Sequence, residues 1–477
     1  YQWGVFVSFL SRRPTISQLA AAAWRTPVVV VAALLSTVLV TLFDVIVPLL
    51  AGSAVDTAMG KGNLSWPISQ VVTVLICLAL GRYAAQFTRR YTAGRLSNTV
   101  QHTLRVAILA TLQRLDGKAQ DQLRTGQVVS RSISDLNLTQ AMLAMVPLMI
   151  GHLLKIIATI ALMLWISPLL AVVSIAVLPL VVWLSVKSRS ILFAATWSAQ
   201  QAVADLSTHV EETVSGVRVV KAFHQEKTAL DRLDHLARNV YGQMMRTARL
   251  SARFKPLLQQ LPTLALVVNI GIGGYLAHAG TITVGTFLAF SVYMMSLSSV
   301  VSMMAGMVVQ IQLGLSSASR VFDVINLKPV TPEPDNPMDV PSGALGVSIH
   351  NLAFANGSHS VLTGVDLTIS PGETLALVGP AGSGKTMLVQ LLCGFYPPDA
   401  GSIQFVNSHG VAADFANLRR DDIRKHLACV FEDPFLYSTT IFDNIDMGRG
   451  LSEAEVRQAA QWAQALDFIE NLEGGRG

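Results

Sequence analysis

Apolar residues fall along this chain in long unbroken runs up to about residue 310 and in short ones after residue 345. Residues 27–50 and 67–87 are each long enough to cross the hydrocarbon core of a bilayer, which takes about 20 residues. Residues 141–186 exceed one crossing, and Ser167-Pro168 interrupts them, which predicts a helical hairpin. Residues 257–277 and 284–310 predict another pair, joined by His278-Ala279-Gly280-Thr281. The pattern predicts six transmembrane helices. Between the runs, apolar residues return at helical spacing, as at Leu96, Val100 and Leu104, with polar residues filling the gaps. The spans are therefore expected to continue beyond the bilayer as amphipathic rods. The short runs Val347–Phe354, Val361–Ile369, Thr374–Val378, Ser402–Val406 and Leu427–Phe431 predict strands.

Composition agrees with a lipid-adapted chain. Hydrophobic residues are 51% and charged residues 14%, against about 25% charged in soluble domains. Mean hydropathy is +0.48. The Lys and Arg residues concentrate in residues 88–137 and 187–256, while the other connections carry almost none, Lys61 excepted. The positive-inside rule places both long segments and both termini in the cytoplasm. That requires an even number of crossings, as six is. The net charge is +5. No Lys/Arg run with interleaved aromatics predicts nucleic-acid binding. Residues 1–26 mix Trp3, Phe6 and Phe9 with Arg12, Arg13 and Arg25, which predicts an interfacial amphipathic segment. Cys77, Cys393 and Cys429 are too few and too scattered for a disulfide framework or a zinc site, and Cys77 reads as a packing residue.

One motif carries chemistry. Gly379-Pro380-Ala381-Gly382-Ser383-Gly384-Lys385-Thr386 matches G-x-x-x-x-G-K-[ST] at every required position. It lies between a predicted strand, Thr374–Val378, and a predicted helix starting at Met387. Glycines there let backbone N–H groups converge on phosphate oxygens. Lys385 would reach the β- and γ-phosphates of ATP, and the Thr386 hydroxyl would bind Mg²⁺. A Pro-rich linker, residues 326–345, separates this part from the membrane part. It contains Pro329, Pro332, Pro334, Pro337 and Pro341. The expected architecture is thus an interfacial segment (1–26), an α-helical membrane domain with six transmembrane helices (27–325), the linker, and an incomplete α/β P-loop nucleotide-binding domain (346–477).

Two further stretches identify a family. Glu212-Thr213-Val214-Ser215-Gly216-Val217-Arg218-Val219-Val220-Lys221-Ala222-Phe223 resembles the second intracellular loop of ABC transporters of the exporter fold, and Leu123–Arg131 resembles the first. Helix count, linker and phosphate loop follow the family's order. The resemblance implies one half of a dimeric, ATP-driven transporter. It implies short coupling helices near Asp121, Gln122, Leu123 and Thr125 and near Thr213, Val214, Ser215 and Gly216. It places Glu432 at the Q-loop position, where Mg²⁺ is sensed and glutamine is usual; a carboxylate oxygen still suits Mg²⁺. It places Asn356 where an aromatic residue usually stacks on adenine, with Phe354 and His359 as substitutes. These departures imply a weakened or asymmetric site and an unequal partner half, with a homodimer as the other arrangement. No signature motif, Walker B carboxylates or switch histidine occurs before Gly477, so the catalytic carboxylates are unknown and this polypeptide by itself is not expected to turn ATP over. A longer natural protein is expected.

The transported molecule is expected to be hydrophobic or amphipathic: a small molecule or a lipid-like substrate. Asp44 in the first span and His152 and Lys155 in the third are ionisable groups in lipid, which usually face a cavity or a partner. Met303 and Met307 share a helical face in the last span, and flexible thioethers suit varied apolar ligands. These five residues are the expected substrate path. The expected location is a bacterial inner membrane with the nucleotide domain in the cytoplasm. An importer on the same scaffold and a catalytically silent ATP-binding subunit are the competing expectations.

Overall fold

The computed structural model describes residues 15–60, 67–123, 125–331, 333–357, 359–432 and 435–472. Most of the expected interfacial segment (residues 1–14), Lys61, Arg124 and residues 433–434 lie outside them. The chain divides into two compact units: Tyr1–Leu115 with Ala119–Val330, and Asp116–Lys118 with Thr331–Gly477.

The first unit is entirely helical among the described residues. After α1 (Thr15–Ala23) come α2 (Pro27–Ala58) and α3 (Ile68–Arg114). Two short helices follow, α4 (Gly117–Asp121) and α5 (Thr125–Ser130), then α6 (Leu136–Ile166), α7 (Pro168–Ile175) and α8 (Val177–Ser215). The short α9 (Val217–Ala222), α10 (Glu226–His278) and α11 (Val284–Ile325) complete it. Four helical segments are long and apolar enough to cross a membrane: Pro27–Ala58, Ser69–Arg114, Gly126–Ile166 and Val284–Ile325. Leu266–His278 is a shorter apolar helix at the end of α10. The predicted break at Ser167-Pro168 is real: Ser167 is extended and Pro168 opens α7, where a missing N–H costs nothing. Gly280 makes the turn before α11 with φ +74.

The rods outrun a bilayer, as their amphipathic spacing predicts. α3 has 47 residues and α10 has 53, about 70 and 80 Å at 1.5 Å per residue. The spacing Leu96, Val100, Leu104 is the buried seam of α3, packed with Leu136, Phe322 and Ile325. Between α5 and α6 the helix widens into a π-turn, Arg131–Asp135. The turn sets the buried Asp135 against α11, where Arg320 Nε donates to its Oδ2 at 2.9 Å. At the other end of α11, Gly285 meets Gly52 of α2 with no side chain between them.

Both rod tips carry a short helix beside the residues expected there. The first spans Gly117–Asp121, so Asp121 ends it, and Gln122 and Leu123 lie in the turn beyond. The second spans Val217–Ala222, while Thr213, Val214 and Ser215 form the last turn of α8 and Gly216 is the break. A side-chain bond explains why α8 runs on through Ser215. Thr213 Oγ1 donates to His209 O at 2.7 Å, so its hydroxyl continues the helix rather than capping a new one.

The second unit is built on a four-stranded antiparallel sheet, order β2-β1-β3-β4. Its strands are β1 (Leu345–Asn356), β2 (His359–Ile369), β3 (Ala400–Asn407) and β4 (Ala412–Asp414). The helix α12 (Lys385–Leu392) buries Leu388 and Leu391 against Ile349, Leu352, Leu362 and Ile403 of the sheet. α13 (Arg420–Lys425), α14 (Ile441–Asp446), α15 (Glu453–Trp462) and α16 (Leu466–Glu470) follow. Ser452 and Glu455 form a reciprocal capping box at α15.

Two expected strands do not form. Thr374–Val378 and Leu427–Phe431 are irregular, with Val378 89% and Val430 98% exposed. A strand exists only when a neighbour accepts its ladder, and no described residues supply one. Cys77 is exposed, whereas Cys393 is a buried free thiol beside the free thiol of Cys429. Burial and that neighbour push the Cys393 thiol up to about 11. Near pH 7.5 it therefore stays protonated, and thiolate is the reactive form. We expect iodoacetamide to spare Cys393 in the native protein and to label it once denaturant is added; peptide mass mapping reads the difference.

Candidate functional site

The phosphate loop runs from the exposed segment at Val378 into the first turn of α12. Gly382 and Gly384 take φ +81 and +88, a region that L side chains avoid. At Gly384 the restriction is also steric, because a Cβ would lie 2.6 Å from Leu362 Cδ2 and 3.2 Å from Val361 O. Glycine lets the loop pass this close to β2 before α12 starts. α12 then presents its free N–H groups and dipole at the loop. Lys385 folds over the loop. Its Nζ donates to Gly379 O and Pro380 O, each at 2.8 Å, and to Ser383 Oγ at 3.1 Å. The ammonium is thereby set at the loop mouth, and Thr386 follows it in the first turn of α12.

The other expected nucleotide residues are placed less closely. Asn356 and His359 pair at the exposed tip of the β1–β2 hairpin. Phe354 is 3% exposed and packs edge-on against Tyr396, with centroids 5.7 Å apart. It is a core residue, and the expectation that it could replace the adenine-stacking aromatic is corrected: alternation along β1 turns it inward. Glu432 is an exposed bend residue, and among the described residues no hydrogen bond or ion pair joins it to the loop.

In the helical unit, three of the expected path residues meet charged or polar partners. Lys155 Nζ lies 2.7 Å from Asp44 Oδ2, and Arg82 Nε lies 2.6 Å from Asp44 Oδ1. His152 Nε2 sits 3.2 Å from Met303 Sδ. Met303 is 50% exposed and Met307 only 6%, so these two do not share one surroundings despite their spacing. Arg82 and Arg89 were missed by sequence reasoning. Arg82 lies inside the apolar run 67–87, where any charge is a signal; Arg89 reads as the start of a basic segment.

Residues 30–301 match the ABC transporter transmembrane region, and residues 362–474 match the ABC transporter family. The chain belongs to the ABC transporter family. A transmembrane region and an ATP-binding region are fused in this ABC transporter chain, as in multi-pass membrane proteins of that family. It is 34% identical to a multidrug efflux ATP-binding/permease protein of Mycobacterium tuberculosis, over 91% of this chain and 36% of that one. It is 33% identical to a fatty acid ABC transporter ATP-binding/permease protein of Mycobacterium bovis, over 84% of this chain and 63% of that one. An ATP-dependent lipid A-core flippase of Desulfotalea psychrophila is 28% identical, over 84% of this chain and 70% of that one. The chain thus spans about a third of the length of the first of these relatives and under two thirds of the second.

Proposed function

We propose that this chain is one half of an ATP-driven exporter of hydrophobic or amphipathic molecules in a bacterial inner membrane. The observation that carries the reading is a phosphate loop, folded around Lys385, on the same polypeptide as long helical rods, four of them apolar enough to cross a membrane among the described residues. The rods cross the membrane, and the second unit lies in the cytoplasm with the basic segments. Relatives named for multidrug efflux, fatty acid transport and lipid A-core flipping support an apolar or lipid-like cargo.

ATP fits the residues present. The positive-φ glycines leave room for backbone N–H groups to approach phosphate, and Lys385 supplies the charge. The Thr386 hydroxyl and the exposed Glu432 carboxylate are hard oxygen donors of the kind Mg²⁺ takes. Bound ATP supplies the free energy that drives the transport cycle. A second half completes the transporter. Glu432 and Asn356, departures from the family pattern, favour a non-identical one.

The test is the full-length protein in proteoliposomes with a lipophilic dye. Dye movement that requires Mg-ATP in the presence of the second half is the expected result. Movement independent of nucleotide, or none with dye bound, overturns the reading. Transport by the assembled pair that survives Lys385→Ala, with ATP affinity at this half lost, would favour the silent-subunit alternative, which the same two departures support.

A further inference from the structure

Cys393 and Cys429 lie far apart in the sequence and side by side in the second unit, both as free thiols. Their surroundings are unequal. Cys393 closes α12. Gly394 follows at φ +66, its N–H donates to Leu391 O, and the Phe395 N–H donates to Gln390 O, each at 3.0 Å. This crossed pair of bonds fixes Cys393–Phe395 on the helix that starts at the phosphate loop. Cys429 has no such frame. It lies in the irregular segment Leu427–Phe431, where Val430 is almost fully exposed. Ring contacts lay that segment against the end of α12. The Phe431 ring lies 6.0 Å from that of Phe395, and the Arg424 guanidinium lies 5.5 Å over the Phe395 ring. Cys429 precedes Phe431 by two residues, as Cys393 precedes Phe395, so thiols and rings pair in the same register. Such ring contacts are individually weak. The thiol pair thus joins a fixed helix end to a segment that side chains hold lightly.

Glu432 stands three residues beyond Cys429, and among the described residues no hydrogen bond or ion pair joins it to the phosphate loop. The segment has to move for Glu432 to reach an Mg²⁺ held by Thr386. Three residues reach about 10 Å at most, so a covalent tie at Cys429 restrains Glu432. We propose that Cys393 and Cys429 are a redox switch on nucleotide binding, whose disulfide holds Glu432 away from the Mg²⁺ that Thr386 would bind. This rests on the reading of Glu432 as an Mg²⁺ contact. The oxidant is a small-molecule disulfide of the glutathione class. Cys429 is the more exposed of the two thiols. Its thiolate attacks one sulfur of the oxidant, the oxidant's S–S bond breaks, a mixed disulfide forms, and one small thiolate leaves. Burial first, and its neighbour second, push the Cys393 thiol up to about 11, so Cys393 takes the second step, where proximity favours it. Its sulfur attacks that of Cys429 and expels the second small thiolate. The two protons lost by the protein go to the two leaving thiolates. Two protein thiols are oxidised by two electrons, and one oxidant is reduced to two thiols. In a cytoplasmic domain such a disulfide is transient and redox-sensing.

The experiment equilibrates the full-length protein in nanodiscs with glutathione buffers of graded potential. Peptide mass mapping after acid quenching is expected to find a Cys393–Cys429 linked peptide, lighter by two hydrogens than its parts, that dithiothreitol removes. The oxidised protein should bind a fluorescent ATP analogue with Mg²⁺ at least ~5-fold more weakly than the reduced protein, the low end of coupling between sites. With EDTA in place of Mg²⁺ the two forms should bind alike, because Glu432 acts through the ion. Coupling is reciprocal, so saturating Mg-nucleotide must favour the dithiol by the same factor and raise the midpoint potential by ~20 mV. A disulfide that only staples the fold would not move with nucleotide. Cys393→Ser and Cys429→Ser should each bind the analogue like the reduced parent in every buffer. Glutathione left on Cys429 with no linked peptide, a linked peptide with unaltered Mg-nucleotide affinity and midpoint, or an equal loss of affinity with EDTA each overturns the switch. When the reduced protein binds Mg-nucleotide normally, those results leave the exporter reading standing. A reduced protein with no affinity for Mg-nucleotide removes that reading and the switch together.

Discussion

Full-length protein carrying Lys385→Ala is expected to lose Mg-ATP binding by at least ~100-fold, and all ATP-dependent transport with it. The parent lysine acts twice. Its ammonium is the only cation that the described loop residues 379–386 contribute, so its loss removes a charge-assisted contact to phosphate worth about 3 kcal/mol. It also ties the loop together through Gly379 O, Pro380 O and Ser383 Oγ. Alanine frees those acceptors and lets the loop move before nucleotide arrives. Lys385→Arg keeps the charge but not the fit, since a planar fork cannot make three bonds within a turn built around a point charge. Both variants should bind a fluorescent ATP analogue more weakly than the parent, with arginine intermediate. The second unit should fold normally in each, because α12 is anchored by Leu388 and Leu391 and not by Lys385. Parent-like nucleotide affinity in Lys385→Ala would remove the phosphate loop from the mechanism.

That loop was legible because its chemistry is local. Glycine backbone freedom, a helix start and one lysine are set by eight consecutive residues, and the structure places them as the spacing requires. The rods were legible for a similar reason: Leu96, Val100 and Leu104 mark a seam by spacing alone, and α3 buries all three. What failed were inferences that needed a partner. Thr374–Val378 reads as a buried strand, but hydrophobicity reports a wish for burial and not the neighbour that provides it; Val378 stays 89% exposed. The short helices at the rod tips lie beside the breaker residues, which mark a turn without saying on which side a helix resumes. Gly216 is the break, and the helix lies after it. Asp44 and Lys155 were each flagged for lying in lipid, but their mutual bond joins α2 to α6 across 111 residues. No periodicity encodes that pairing, and Arg89, at the start of a basic segment, carries no sequence signal that sets it apart from its neighbours.

The helical unit makes its own sharp prediction at Gly285. A Cβ there would lie 1.9 Å from Gly52 O and 2.5 Å from Asp56 Oδ2, and one on Gly52 would lie 2.4 Å from Gly285 O. The two backbones touch because neither residue has a side chain, a contact typical of membrane helices. The buried Asp56 then accepts the Gly285 N–H at 2.7 Å, one of the orphan donors in the first turn of α11. Gly285→Val must push α2 and α11 apart, which empties the contact and strips Asp56 of that bond. Overpacking and a buried carboxylate without its donor together cost at least about 3 kcal/mol. The variant is expected to reach the membrane poorly and to aggregate on mild heating in detergent, as fluorescence-detected size exclusion would report. Gly306→Ala on the same helix is the control. Nothing lies within 4 Å of its added Cβ, so alanine should be neutral or slightly stabilising through helix propensity. If Gly285→Val were as stable as Gly306→Ala, α2 and α11 would not approach each other as closely as this structure has them. The bulky side chain would then be accommodated in lipid, and the Asp56 carboxylate would have found another donor.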